Sequence, residues 1–105
     1  MQNDGSYFAL IPQSNTTIKR IYPKQMWTSH YCGIEMFVYK ANLQRWDVVE
    51  MSTGLPIASS QASKIDALAR SKKNIDSKGI DNILAEIETA KKAIENMNIY
   101  EENLE

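Results

Sequence analysis

Ile80, Ile83, Leu84, Ile87, Ala90, Ile94 and Met97 recur at three- and four-residue spacing, the period that lines one face of an α-helix. A strand cannot carry this pattern, because its side chains change face at every residue. The run predicts a helix over 79–98, its eighteen-residue stripe spanning roughly 27 Å at about 1.5 Å per residue, enough to cross a small sheet. The adjacent Ile83 and Leu84, with Ala90, make the stripe broader than a two-position coiled-coil seam, which favours packing on a sheet. Pairing of helix 80–97 with a second copy stays open as a route to a homodimer.

The residues before this helix follow the other period. Tyr7 to Ile11 and Thr16 to Tyr22 flank the turn residues Pro12-Gln13-Ser14-Asn15 and read as a hairpin that Pro23 ends. Pro23 to Cys32 shows no clear period and is placed on a loop or irregular edge. In Ile34 to Lys40, Ile34, Met36 and Val38 share one face and Glu35, Phe37 and Tyr39 the other. Arg45 to Met51 sets Trp46 and Val48 opposite Val49 and Met51, giving a second hairpin. Thr53-Gly54 signals a tight reversal into Leu55 to Ala58, since glycine accepts the positive φ that such turns demand.

Ala62, Ile65, Leu68 and Ala69 then predict a helix over about 60–73, capped by Ser59 or Ser60, or one turn later by a Ser63/Asp66 capping box. The order of five strands and two helices gives an α+β class: an antiparallel sheet of four or five strands with two C-terminal helices packed on one face, the longer covering its apolar side. At 105 residues the chain reads as one domain, with the sheet over 6–58 and an acidic tail over 99–105.

Charge divides along the chain: up to Lys78 there are ten Lys/Arg against six Asp/Glu, and beyond it two against seven. A mildly basic body therefore carries an acidic end, which repels nucleic acid or meets a basic surface. No run approaches the roughly 18–20 apolar residues that span a bilayer, and no secretory signal is readable, so a soluble protein is expected. Cys32 is the lone cysteine, which excludes an intrachain disulfide and suits a reducing, cytoplasmic setting.

The run Trp46-Asp47-Val48-Val49-Glu50-Met51-Ser52-Thr53-Gly54-Leu55-Pro56-Ile57-Ala58, leading into a helix through Ala67, resembles strand–turn–strand–helix units of small phage- and plasmid-encoded accessory proteins. The resemblance implies a single-domain binder that blocks or modifies a host machine, including inhibitors of bacterial defence such as CRISPR. It carries over no functional residue.

The residues themselves offer little catalytic chemistry. His30 and Cys32 would share one side of an extended strand, yet no orienting group or oxyanion site is marked, and one His with one Cys falls short of a zinc ligand set. The glycines are isolated, so no phosphate-cradling loop is expected. No cofactor or metal is expected.

Between Ile18 and Tyr31, Lys19, Arg20 and Lys24 interleave with Tyr22, Trp27, His30 and Tyr31. Such a segment suits base stacking with phosphate neutralisation, a protein-binding hot spot, or an aromatic plug at the end of the core. A second basic group, Lys64, Arg70, Lys72, Lys73 and Lys78, surrounds the end of the first helix. There it either complements the helix dipole or contacts phosphate.

The expected function is a non-enzymatic protein-binding module, an inhibitor or regulator from a mobile element. Tyr22, Trp27 and Tyr31 would be its apolar anchors, and Arg20 and Lys24 its rim charges. The alternative is a nucleic-acid accessory protein using both basic clusters and their aromatic neighbours, with Arg70, Lys72, Lys73 and Lys78 as phosphate contacts.

Overall fold

The computed structural model describes residues 1–104. It has the α+β class expected, in the order β1 (Ala9–Pro12), β2 (Thr17–Pro23), β3 (Trp27–Tyr31), β4 (Ile34–Asn42), β5 (Arg45–Glu50), β6 (Pro56–Gln61), α1 (Lys64–Lys78), α2 (Ile80–Ile94) and β7 (Asn98–Leu104). The strands form two sheets: an antiparallel one ordered β3-β4-β5-β6, and a three-stranded one ordered β1-β2-β7.

The alternation in Ile34–Lys40 explains the layering. Both faces of β4 are apolar, so both must be covered. Ile34, Met36 and Val38, with Val48, Ile57 and Ala58, meet Ala67 and Ile75 of α1 and Ile83 and Ile87 of α2. On the opposite face Phe37, Tyr39 and Val49 pack with Ala9 and Met26, and Leu104 joins from β7. The large sheet therefore lies between the helices and the small sheet, which is why one sheet with a wet face does not form.

The β5–β6 turn fastens the two sheets together. Gly54 takes φ +76°, and its carbonyl accepts the Leu10 backbone N–H at 2.9 Å. The turn is held from within by the buried Glu50, whose carboxylate accepts the Thr53 hydroxyl at 2.6 Å and the Thr53 amide at 2.9 Å. It also accepts the Ser52 amide at 2.8 Å.

Ser63 is the α1 N-cap, its Oγ accepting the Asp66 amide at 3.1 Å, so the later of the two expected starts is the one used. Ser59 and Ser60 belong to β6 instead, with the Ser60 amide donating to Asp47. Helix α1 runs past its expected end at about 73 to Lys78, where the Gly79 amide closes it on the Ile75 carbonyl.

Helix α2 stops at Ile94, short of the expected 98, in a tighter turn through Met97. Both helices have 15 residues. It is α1, not a longer second helix, that lies across β4, β5 and β6, and α2 packs on α1. Only Ile83 and Ile87 of the long stripe are buried, and Leu84 is 48% exposed.

Two further expectations are corrected. The segment placed on a loop contains β3, whose register runs from Trp27 opposite Val38 to Tyr31 opposite Ile34. The described part of the segment taken as an acidic tail belongs to β7, parallel to β2 from Asn98 beside Thr17 to Leu104 beside Pro23; Glu105 lies outside the described residues. Arg20 lies beside Glu101, and Lys19 pairs with Glu102 at 3.2 Å, so the acidic residues of β7 face basic ones of β2.

Candidate partner-binding site

Strand β3 is an edge of the large sheet, and its helix-side residues Trp27 and Tyr31 lie at the border of the core with one flank open. Trp46 of β5 joins them, its ring centre 5.7 Å from that of Trp27. A lysine overlies each ring. Lys64 Nζ sits 4.5 Å from the Trp27 ring centre, Lys40 Nζ 5.9 Å from Trp46, and Lys72 Nζ 6.0 Å from Tyr31.

The order of these contacts follows from helix geometry. Lys64, Leu68 and Lys72 succeed one another at four-residue spacing along one flank of α1, and Asp76, one turn on, accepts the Tyr31 hydroxyl at 2.9 Å. That hydrogen bond raises the Tyr31 phenol above its ordinary pKa. Among the described residues, Lys40, Lys64 and Lys72 have no carboxylate within ion-pairing distance. The result is a half-buried aromatic strip carrying unneutralised positive charge. A groove of about 280 Å³ opens at one end of it, lined by Lys24, Trp27, Lys40, Trp46 and Leu104.

The five residues expected to bind a partner do not form one patch. Trp27 and Tyr31 lie on the helix side of the large sheet, whereas Arg20 and Tyr22 lie on β2 of the small sheet. There the Arg20 guanidinium stacks 4.6 Å from the Phe8 ring centre and contacts Glu101 at 3.5 Å, and the Tyr22 hydroxyl donates to Glu101 at 3.2 Å. Burial, reinforced by Glu101, raises the Tyr22 phenol. Lys24 bridges the two regions, exposed at the head of β3 and lining the groove.

The expected phosphate contacts also separate. Arg70 and Lys73 are exposed on the outer side of α1, Lys72 turns to Tyr31, and Lys78 is held by Glu86 at 2.8 Å. They make no common cradle.

His30 and Cys32 do not share a strand face. Cys32, at φ +51°, and Gly33, at φ +80°, form the two-residue turn between β3 and β4, and both His30 and Cys32 are exposed. No three His, Cys, Asp or Glu side chains gather as metal ligands among the described residues.

A feature unmarked in the sequence is a cleft of about 710 Å³ between α2 and the turns of the large sheet, walled by Tyr7, Ile34, Met51, Leu84 and Ile87 with Glu35, Glu88 and Lys91 at its rim. Its volume is that of a ligand site. Its most buried carboxylate, Glu50, accepts from the Ser52 and Thr53 donors of the β5–β6 turn.

No helix among the described residues is long and apolar enough to cross a membrane. The chain matches no family model, and no significant match is found among curated proteins or solved structures.

Proposed function

We propose that this chain is a non-enzymatic protein-binding module whose contact surface is the Trp27–Trp46–Tyr31 strip. The observation that carries the reading is the juxtaposition of half-buried aromatic rings with Lys40, Lys64 and Lys72, which lack carboxylate partners among the described residues. Large aromatic side chains at the centre of an interface carry most of its energy, and surrounding cations select an acidic partner surface. The finer reading is an inhibitor or regulator of a bacterial host system such as CRISPR. It draws on the resemblance of residues 46–58 to phage- and plasmid-encoded accessory proteins.

A nucleic-acid partner is the second reading, favoured by the same rings and lysines, since bases stack on aromatic faces. The dispersal of Arg70, Lys73 and Lys78 away from the strip weighs against it. Capture from a bacterial lysate by the tagged chain, with and without nuclease, separates the two. A discrete protein retained after nuclease, with affinity that falls gently with salt, fits the protein reading. Loss of every partner after nuclease, with a steep salt dependence, would replace it by the nucleic-acid reading.

A further inference from the structure

We propose that β7 is a displaceable strap, and that the β2 edge beneath it is a docking site for an acidic extended strand of a partner protein. The inference rests on the protein-binding reading and names the chemistry of the partner. Strand β7 is the outer strand of the small sheet, paired only with β2. Asn98 to Asn103 are all exposed, and Leu104 alone reaches the core between the sheets. Besides Leu104, Ile99 at 36% exposure is the one apolar side chain of the strand that is more than half covered, so apolar burial along β7 is limited. Its polar side-chain contacts are the solvent-accessible ion pairs Lys19–Glu102 and Arg20–Glu101, of the kind that contribute little, and an exposed hydrogen bond from the Tyr22 hydroxyl to Glu101 at 3.2 Å.

Removing β7 exposes the backbone donors and acceptors of β2, an edge that accepts any extended chain. Its side chains set the selectivity. Lys19 and Arg20 offer positive charge, and Tyr22 offers a hydroxyl donor. Arg20 is also incompletely used: among the described residues its buried Nε has no hydrogen-bond partner, and its one carboxylate contact, from Nη1 to Glu101, is at 3.5 Å. The Phe8 ring centre lies 4.6 Å from the guanidinium carbon. A guanidinium favours a two-pronged carboxylate, so an incoming Asp or Glu with better geometry gains a hydrogen bond that Glu101 does not make.

The parallel register extends the argument. A strand that follows the β7 path beyond Leu104 enters the groove of Lys24, Trp27, Lys40 and Trp46. The fitting partner is thus a strand with adjacent acidic residues followed by an apolar or aromatic one, continuous with the aromatic strip.

The test uses the full chain with Glu101→Lys and Glu102→Lys, which sets like charges against Lys19 and Arg20, and a synthetic peptide of the Asn98–Leu104 sequence as probe. Hydrogen exchange should show the variant's β7 amides exchanging freely while β4 and β5 stay protected. The peptide should bind the variant at least about tenfold more tightly than the wild type, where the tethered strand competes at an effective concentration on the order of millimolar. A peptide with lysine at both glutamate positions should bind neither.

Protected β7 amides in the variant, or equal peptide binding by both chains, would overturn the proposal. A doubled mass in light scattering would do so too, by showing that the strap exchanges with a second copy. If the variant fails to fold, wild-type exchange decides: β7 should open severalfold faster on raising salt, and β7 amides as protected as those of β4 at both salts would count against the strap. Peptide signals confined to the Trp27 and Trp46 indoles, with β7 in place, would refute the strap and leave the aromatic-strip reading intact. Partner capture insensitive to Trp27→Ala would do the reverse.

Discussion

The Lys64 ammonium sits 4.5 Å from the centre of the Trp27 ring, joining the first turn of α1 to the edge strand of the large sheet. The contact is partly exposed, so Lys64→Ala should lower stability by only about 0.5–1 kcal/mol in urea unfolding. A loss of several kcal/mol would mean that Lys64 is a structural pin and not part of an available surface.

Gly54 is a position where a side chain has no room. A Cβ there would lie 2.5 Å from the Phe8 carbonyl oxygen and 2.8 Å from the Leu10 nitrogen, both backbone atoms that cannot swing away. Combined with φ +76°, this predicts that Gly54→Ala destabilises the chain by more than about 2 kcal/mol, read as a shift of the denaturant midpoint at unchanged slope. The damage should appear first in β1, because Leu10 is hydrogen-bonded to this turn.

Glu50 and Thr53 form a buried pair at 2.6 Å. Glu50→Ala leaves the Thr53 hydroxyl and amide without their acceptor in a site where Thr53 is 1% exposed, and should cost about 2–4 kcal/mol. Ser52 is exposed and its hydroxyl can turn to water, so Ser52→Ala should cost less than about 1 kcal/mol. Thermal unfolding of the two variants side by side checks the ranking.

Much of this arrangement was legible in the sequence. The alternation in Ile34–Lys40 and Arg45–Met51, the Gly54 turn and the Ser63 cap are local signals, and each leads to the observed element. Trp27, Ser29 and Tyr31 against Thr28 and His30 was also a readable alternation ending in a Cys32-Gly33 turn, obscured by the Pro23 just upstream. Strand β7 was not readable, because its partner β2 lies some eighty residues away and its acidic composition is that of a solvated tail.

The site divides in the same way. Trp27 and Tyr31 were visible as aromatics, but their neighbours Trp46, Lys40 and Lys64 come from β5, β4 and α1 and are assembled by tertiary packing alone. Arg20 and Tyr22, close in sequence to Trp27, end on a different sheet because the chain between Pro23 and Trp27 passes from one sheet to the other.

Tyr39 gives the chain an alkaline limit. Its phenol is 2% exposed, and burial, with the nearby Asp47 charge, raises its pKa well above the ordinary value. Above about pH 10 the unfolded chain loses this proton while the folded chain keeps it, so the folded state binds more protons and stability falls as pH rises. The slope from this one group approaches about 1.4 kcal/mol per pH unit. Urea unfolding at pH 8 and pH 10.5 should show a larger loss for the wild type than for Tyr39→Phe; equal losses would place the alkaline sensitivity elsewhere.

The most direct test of the aromatic strip is a side-by-side capture from bacterial lysate with wild-type, Trp27→Ala and Arg70→Ala/Lys73→Ala baits, each shown to be folded by the protection of β4 and β5 amides. The account predicts that a nuclease-resistant protein held by the wild type is held equally by the α1 double variant. Trp27→Ala should weaken that complex by about 2 kcal/mol or more, roughly thirtyfold. Equal retention by Trp27→Ala, or a loss confined to the Arg70→Ala/Lys73→Ala bait, would contradict it.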